Sequence, residues 1–119
     1  MLAGPVASSG LLPAGYYRHL ALAALEEEDF SRALDYLRWA QDPLLVQILV
    51  FRLRLLQFRH AQQQQALKQV LDHSPQAPRP KIQSLLAQEE RAVEVLAGLE
   101  VKALRLLRDQ IGVRGPEAD

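Results

Sequence analysis

The chain of 119 residues has no cysteine, a single methionine and a single tryptophan. Without cysteine there is no disulfide framework, no thiolate nucleophile and no Cys-based zinc site, and the composition fits a reducing interior. Val, Ile and Thr are sparse beside Leu and Ala, so the apolar fraction of 49% favours helix over strand. No long hydrophobic run exists. The longest, residues 44–51, already contains Gln47 and stops at Arg52, well short of the ~20 residues that span a bilayer. The opening MLAGPVASSGLLPAG has no positive residue before Arg18 and makes a poor signal or transit peptide. Net charge is absent too: 14 basic groups balance 14 acidic ones, which leaves no long-range pull on nucleic acid or an anionic membrane.

Catalytic inventory is equally thin. His19, His60 and His73 stand on three separate segments with no HxxxH or HExxH spacing, and no serine sits in a nucleophile context. No glycine-rich phosphate loop occurs. Basic residues are interleaved with acids and lack an aromatic platform for nucleic acid. The run Glu26-Glu27-Glu28-Asp29 invites a metal reading, but consecutive helical side chains fan about 100° apart, so these carboxylates do not converge. The expectation is a non-enzymatic protein with no metal, cofactor, small-molecule substrate, nucleic-acid or membrane partner, in the cytoplasm or nucleus.

What is present is helical periodicity. Residues 43–71 contain nothing that breaks a helix and would span roughly 43 Å. Leu44, Ile48, Phe51, Leu55 and Phe58 make one seam at alternating spacings of four and three. Val46, Leu49, Leu53 and Leu56 make a second seam, read as lying beside the first, and only this one continues through His60, Gln63, Leu67 and Val70. Two seams call for more than one neighbour and one seam for a single neighbour. The expected consequence is a bundle around residues 43–58 that thins to a two-helix arm beyond Arg59. Arg52 and Arg59 interrupt the broad face, and their guanidinium groups are expected to reach acids such as Glu94 or Glu100.

Before this helix, Tyr17, Leu20, Ala21, Ala24 and Leu25 recur on one helical face. Asp29 can cap a second helix with inner face Phe30, Ala33, Leu37 and Ala40. Asp42-Pro43 is a strong helix start. The segment DHSPQAPRPK ends the long helix. Within it, Pro75 and Pro78 beside Arg79 have the spacing of an SH3 ligand and Ser74-Pro75 that of a phosphoacceptor, although helix-stopping prolines in a loop are the plainer reading. A last helix carries Ile82, Leu85, Leu86, Val93, Leu96, Leu99, Leu104, Leu107 and Ile111, with Gly112 as its stop and a basic strip of Lys102, Arg105 and Arg108. Gly98 in its interior suggests a close helix contact.

GYYRHLALAALEEEDFSRALDYLRWAQDP, residues 15–43, resembles a single tetratricopeptide repeat. Tyr17, Leu20 and Ala21 fill the aromatic, leucine and small positions of that family's first helix. Asp29-Phe30, Ala33, Leu37 and Ala40 fill the turn and second helix. Ala24 stands where a tyrosine is usual, Pro43 comes two residues early, and no second repeat follows. The hairpin also resembles the first two helices of microtubule-interacting and trafficking domains, whose third helix is not reproduced. The resemblance implies a helical hairpin and protein–protein binding, without the multi-repeat peptide groove.

The fold expected is all-α: a four-helix up-and-down bundle, two short helices packed on a long antiparallel helical hairpin. Helices are expected over 14–28, 30–41, 43–72 and 80–111 in one domain, residues 13–113, with disordered ends at 1–12 and 114–119. The function expected is an adaptor or scaffold that binds a protein partner through Trp39 or through an uncovered seam of Leu67, Val70, Leu71, Ile82, Leu85 and Leu86 on the 59–95 arm. The alternative is a self-assembling homodimer through that arm.

Overall fold

The computed structural model describes residues 13–112; the ends expected to be disordered lie outside them. The described residues form an all-α helical bundle of four helices, α1 (Ala14–Glu26), α2 (Phe30–Ala40), α3 (Pro43–His73) and α4 (Arg79–Ile111).

The joints are short and chemically specified. At the end of α1, Glu28 N–H donates to Leu25 O at 3.0 Å and Asp29 N–H to Ala24 O at 2.9 Å. This is the Schellman pattern, with Glu28 at φ 58° in the position glycine usually takes. The turn consumes Glu27 and Glu28, which is why α1 stops two residues before the expected end. Asp29 then caps α2, its carboxylate accepting from Arg32 N–H at 3.3 Å. Gln41, at φ 52°, closes α2 in the left-handed region. Asp42 follows at once: it accepts from Leu45 N–H at 3.3 Å and from Arg18 Nε at 2.9 Å, and Pro43 takes the first helical position. α3 runs on unbroken through the glutamine tract to His73.

The chain divides into two compact units. The first takes the described part of Met1–Val50 and Lys102–Asp119, that is α1, α2, the first turns of α3 and the end of α4. Its core is Tyr17, Ala21, Ala24 and Leu25 from α1, Phe30, Ala33, Leu34, Leu37 and Ala40 from α2, Leu45, Val46, Leu49 and Val50 from α3, and Ala103 from α4. Ala21, Ala33, Ala40 and Ala103 are wholly inaccessible; side chains this small let helix axes approach closely. Gln110 Nε2 donates to Leu37 O at 2.8 Å, tying α4 to α2.

The second unit is Phe51–Val101, the rest of α3 and α4. Its cross-links fix an antiparallel hairpin. Arg54 and Gln57 reach Glu100, His60 reaches Glu89, and Arg79 Nη1 donates to Leu71 O, so partners descend along α4 as they ascend along α3. Leu53, Ile82 and Leu96 are its buried apolar residues. Gly98 overturns another expectation. It is exposed, and among the described residues a Cβ added there would meet nothing within 4 Å, so none of the described helices packs against it.

Candidate interaction surface

An α-helix turns 100° per residue, and on that wheel the two seams of α3 lie on opposite sides, not side by side. Their environments follow. Val46, Leu49 and Leu53 are buried, whereas Leu44, Ile48, Phe51, Leu55 and Phe58 are all 40–67% exposed. In the first unit the exposed members are Leu44 and Ile48; in the second they are Phe51, Leu55 and Phe58. The expectation that the two seams lie beside each other is thus corrected. Packing reaches one side of α3, and the described residues leave the other uncovered.

The spacing of the exposed seam is that of a heptad, with Leu44, Phe51 and Phe58 at one core position and Ile48 and Leu55 at the other. On that numbering the flanking positions hold Leu45, Gln47, Arg52, Arg54, Arg59 and Ala61. No acid occupies a flank.

Glu100 is met by an arginine other than the Arg59 considered for it. Arg54, not Arg59, meets Glu100: its Nε lies 2.6 Å from Oε2, and Gln57 Nε2 donates to Oε1 at 2.7 Å. These donors hold the Glu100 carboxyl below the ordinary carboxylate range, Arg54 contributing most and Gln57 next. Further along, Glu89 receives His60 Nδ1 and, with the amide turned to donate, Gln63 at 2.8 and 2.7 Å. His60 is therefore a hairpin cross-link at the edge of the continuing seam. Leu67 and Leu85 lie beside Glu89 and Gln63 around a shallow cleft of about 270 Å³.

The residues singled out in the sequence separate into three groups. Ile82 is only 7% exposed and belongs to the hairpin core, so it cannot form part of an uncovered seam. It lies in the unit formed by the later part of α3 and most of α4. Leu67, Leu71 and Leu86 are half-buried, while Val70 and Leu85 are exposed. Trp39 is 47% exposed, and its indole lies 6.3 Å from the Tyr17 ring at a tilt of 38°. Tyr17 also meets the half-exposed Tyr16 edge-on at 5.9 Å. Trp39 is thus propped by α1 and retains an open face.

The basic strip near the end of α4 is joined by α2. Arg38, Lys102 and Arg105 surround an open cleft of about 300 Å³ with Leu34, Leu106 and Asp109. Asp109 supplies counter-charge within the cleft. Among the described residues no group of three or more His, Asp and Glu could hold a metal ion, and no helix is long and apolar enough to cross a membrane. The strongest surface feature, the exposed α3 stripe, was present in the sequence as a seam; only its angular placement identifies it as uncovered.

Comparison with known protein families, with curated proteins and with solved structures finds no match.

Proposed function

We propose that this chain is a non-enzymatic protein–protein interaction module that docks through the outward face of α3. The observation that carries the reading is the exposure of Phe51, Leu55 and Phe58 on the side of the helix away from buried Leu53. A row of large side chains open to water is unfavourable by roughly 25 cal/mol for each Å² left uncovered, and such rows mark interaction sites. Leu44 and Ile48 extend the same repeat on the same helix. Phenylalanines at regular spacing supply rigid anchors of large area.

The arm residues are the weaker candidates. With Ile82 buried and three of its leucines half-covered, that seam offers chiefly Val70 and Leu85. Trp39 with Tyr16 is a compact aromatic patch suited to a secondary contact.

Replacing Phe51 and Phe58 together with Asp in the full chain tests the reading. Both are exposed, so circular dichroism should show native helicity. In cell extract the tagged native chain should elute in a complex larger than itself, and the double variant at its own size. A native chain that elutes alone removes the proposal.

A further inference from the structure

We infer that the basic cleft between α2 and α4 is a second binding site, which takes a phosphate monoester carried on a side chain of a partner protein. This goes beyond the docking reading above. Every residue of the cleft belongs to the first unit, and none is on the exposed α3 row.

The cleft is held by what lies beneath it. Leu34 is buried in the core of the first unit and gives the cleft a packed apolar floor. Gln110 Nε2 donates to Leu37 O and so fixes α4 against α2. On this base Arg38 from α2 meets Lys102 and Arg105 from α4 around the same open space.

Charge selects the ligand. Other arginines spend theirs on carboxylates: Arg18 on Asp42, Arg32 on Asp29 and Arg54 on Glu100. Arg38, Lys102 and Arg105 make no ion pair or side-chain hydrogen bond among the described residues. Asp109 balances one of the three charges, while Asp35, the one acid within α2, does not line the cleft. Arg38 stands in the last turn of α2, whose dipole offsets about half a charge more. Lys102 and Arg105 lie more than a turn before the end of α4 at Ile111, outside the reach of its dipole. Roughly one and a half positive charges remain. A carboxylate brings one negative charge and two oxygens. A phosphate monoester at neutral pH brings about 1.5 to 2 charges and three strong acceptor oxygens, one for each cation.

Shape selects its carrier. A free metabolite buries most of its surface in its site, and a cleft this open cannot enclose one. It can receive a group that a larger partner presents. Beyond Arg38 the surface runs into a second cleft of about 410 Å³, which shares Arg38, Leu106 and Asp109 and adds exposed Gln41. The Gln41 amide can both donate to and accept from the backbone of a peptide passing there. A lipid headgroup carries the same phosphate, but a bilayer offers no chain to run along the second cleft.

NMR titration of the full chain tests this, read at the side-chain N–H signals of Arg38 and Arg105. Three peptide pools with degenerate flanks carry phosphoserine, glutamate or serine at the centre. The phosphoserine pool should shift both signals and bind at least about tenfold more tightly than the serine pool, with glutamate between. Lys102→Gln with Arg105→Gln should weaken that binding at least about tenfold, and Asp109→Asn should strengthen it. All three positions are exposed, so circular dichroism should show native helicity. The Phe51→Asp, Phe58→Asp variant should bind the pool unchanged, which separates this site from the α3 face.

Equal binding of the serine and phosphoserine pools overturns the inference, as does binding that survives the Lys102 and Arg105 changes. Absence of any shift overturns it too. Inorganic phosphate that matches the pool in affinity makes the ligand a free phosphate and removes the protein carrier. Vesicles of phosphatidylcholine with phosphatidic acid that sediment the native chain but not the Lys102 and Arg105 variant, with no shift from the pool, make it a lipid headgroup.

Discussion

Single residues show where local geometry has been left short of its most stable form. Gly98 lies in the interior of α4, exposed and with open space where a Cβ would go. Glycine there retains more backbone freedom in the unfolded chain than alanine and gives no packing in return. Gly98→Ala should therefore raise stability by about 0.5–1 kcal/mol, measured as a higher midpoint in urea at unchanged slope. Glu100 makes a second prediction, in pH. Its carboxyl is held below the ordinary range by Arg54 and Gln57, so the folded state favours the ionised form. That contribution is complete above the unfolded carboxylate value near ~4.3 and fades as pH falls through the lower folded value. Glu100→Gln should cost less than about 1 kcal/mol at neutral pH, since Arg54 is largely solvated. The gap between variant and native midpoints should close at the acid end of a pH series. A gap that persists there would assign the effect to the shape of the side chain instead.

At the scale of the element, α3 holds two apolar rows with opposite fates, and substitution should separate them. Leu53→Ala removes a side chain with no exposure and should cost about 2–5 kcal/mol. Leu55→Ala, two residues away and 40% exposed, should change stability by less than about 0.5 kcal/mol. Thermal melts of the two variants check the contrast. Helix ends were legible in the sequence because they are local chemistry: Asp29 and Asp42 cap, Pro43 starts and Gly112 stops. The glutamate in the Schellman turn was not legible, since the motif usually signals itself through glycine. Nor was the pairing of Glu100 with Arg54 in preference to its neighbours, because which cation reaches an acid across a hairpin depends on register, a tertiary quantity. The seam of α3 failed for a different reason. Its period was readable, but an apolar row records only that something covers it, and the number of covering elements within the chain is fixed by what α1, α2 and α4 have to offer. The candidate surface is that mismatch.

For the molecule as a whole, zero net charge conceals a basic middle, and the arrangement can be tested by making the chain its own partner. Native chains should remain monomeric over an about hundredfold range of concentration in sedimentation velocity, because self-pairing along α3 opposes arginine to arginine. A variant with Arg52, Arg54 and Arg59 each changed to Glu, and Glu100→Gln so that position 54 has no acid beside it, should also remain monomeric alone, because both the parallel and the antiparallel pair then oppose glutamate to glutamate. Mixed together, the two should associate: in an antiparallel pair each flank then meets its opposite charge while Phe51, Leu55 and Phe58 leave water on both sides. Salt should weaken the mixed complex, and Leu55→Asp in either chain should dissolve it. Neither row nor charge alone predicts this pattern. Apolar exposure without charge selection would make all three samples dimerise, and charge without apolar exposure would give a mixed contact indifferent to Leu55. Association confined to the mixture, and dependent on Leu55, requires that the uncovered row supplies the attraction and the arginines decide what it accepts.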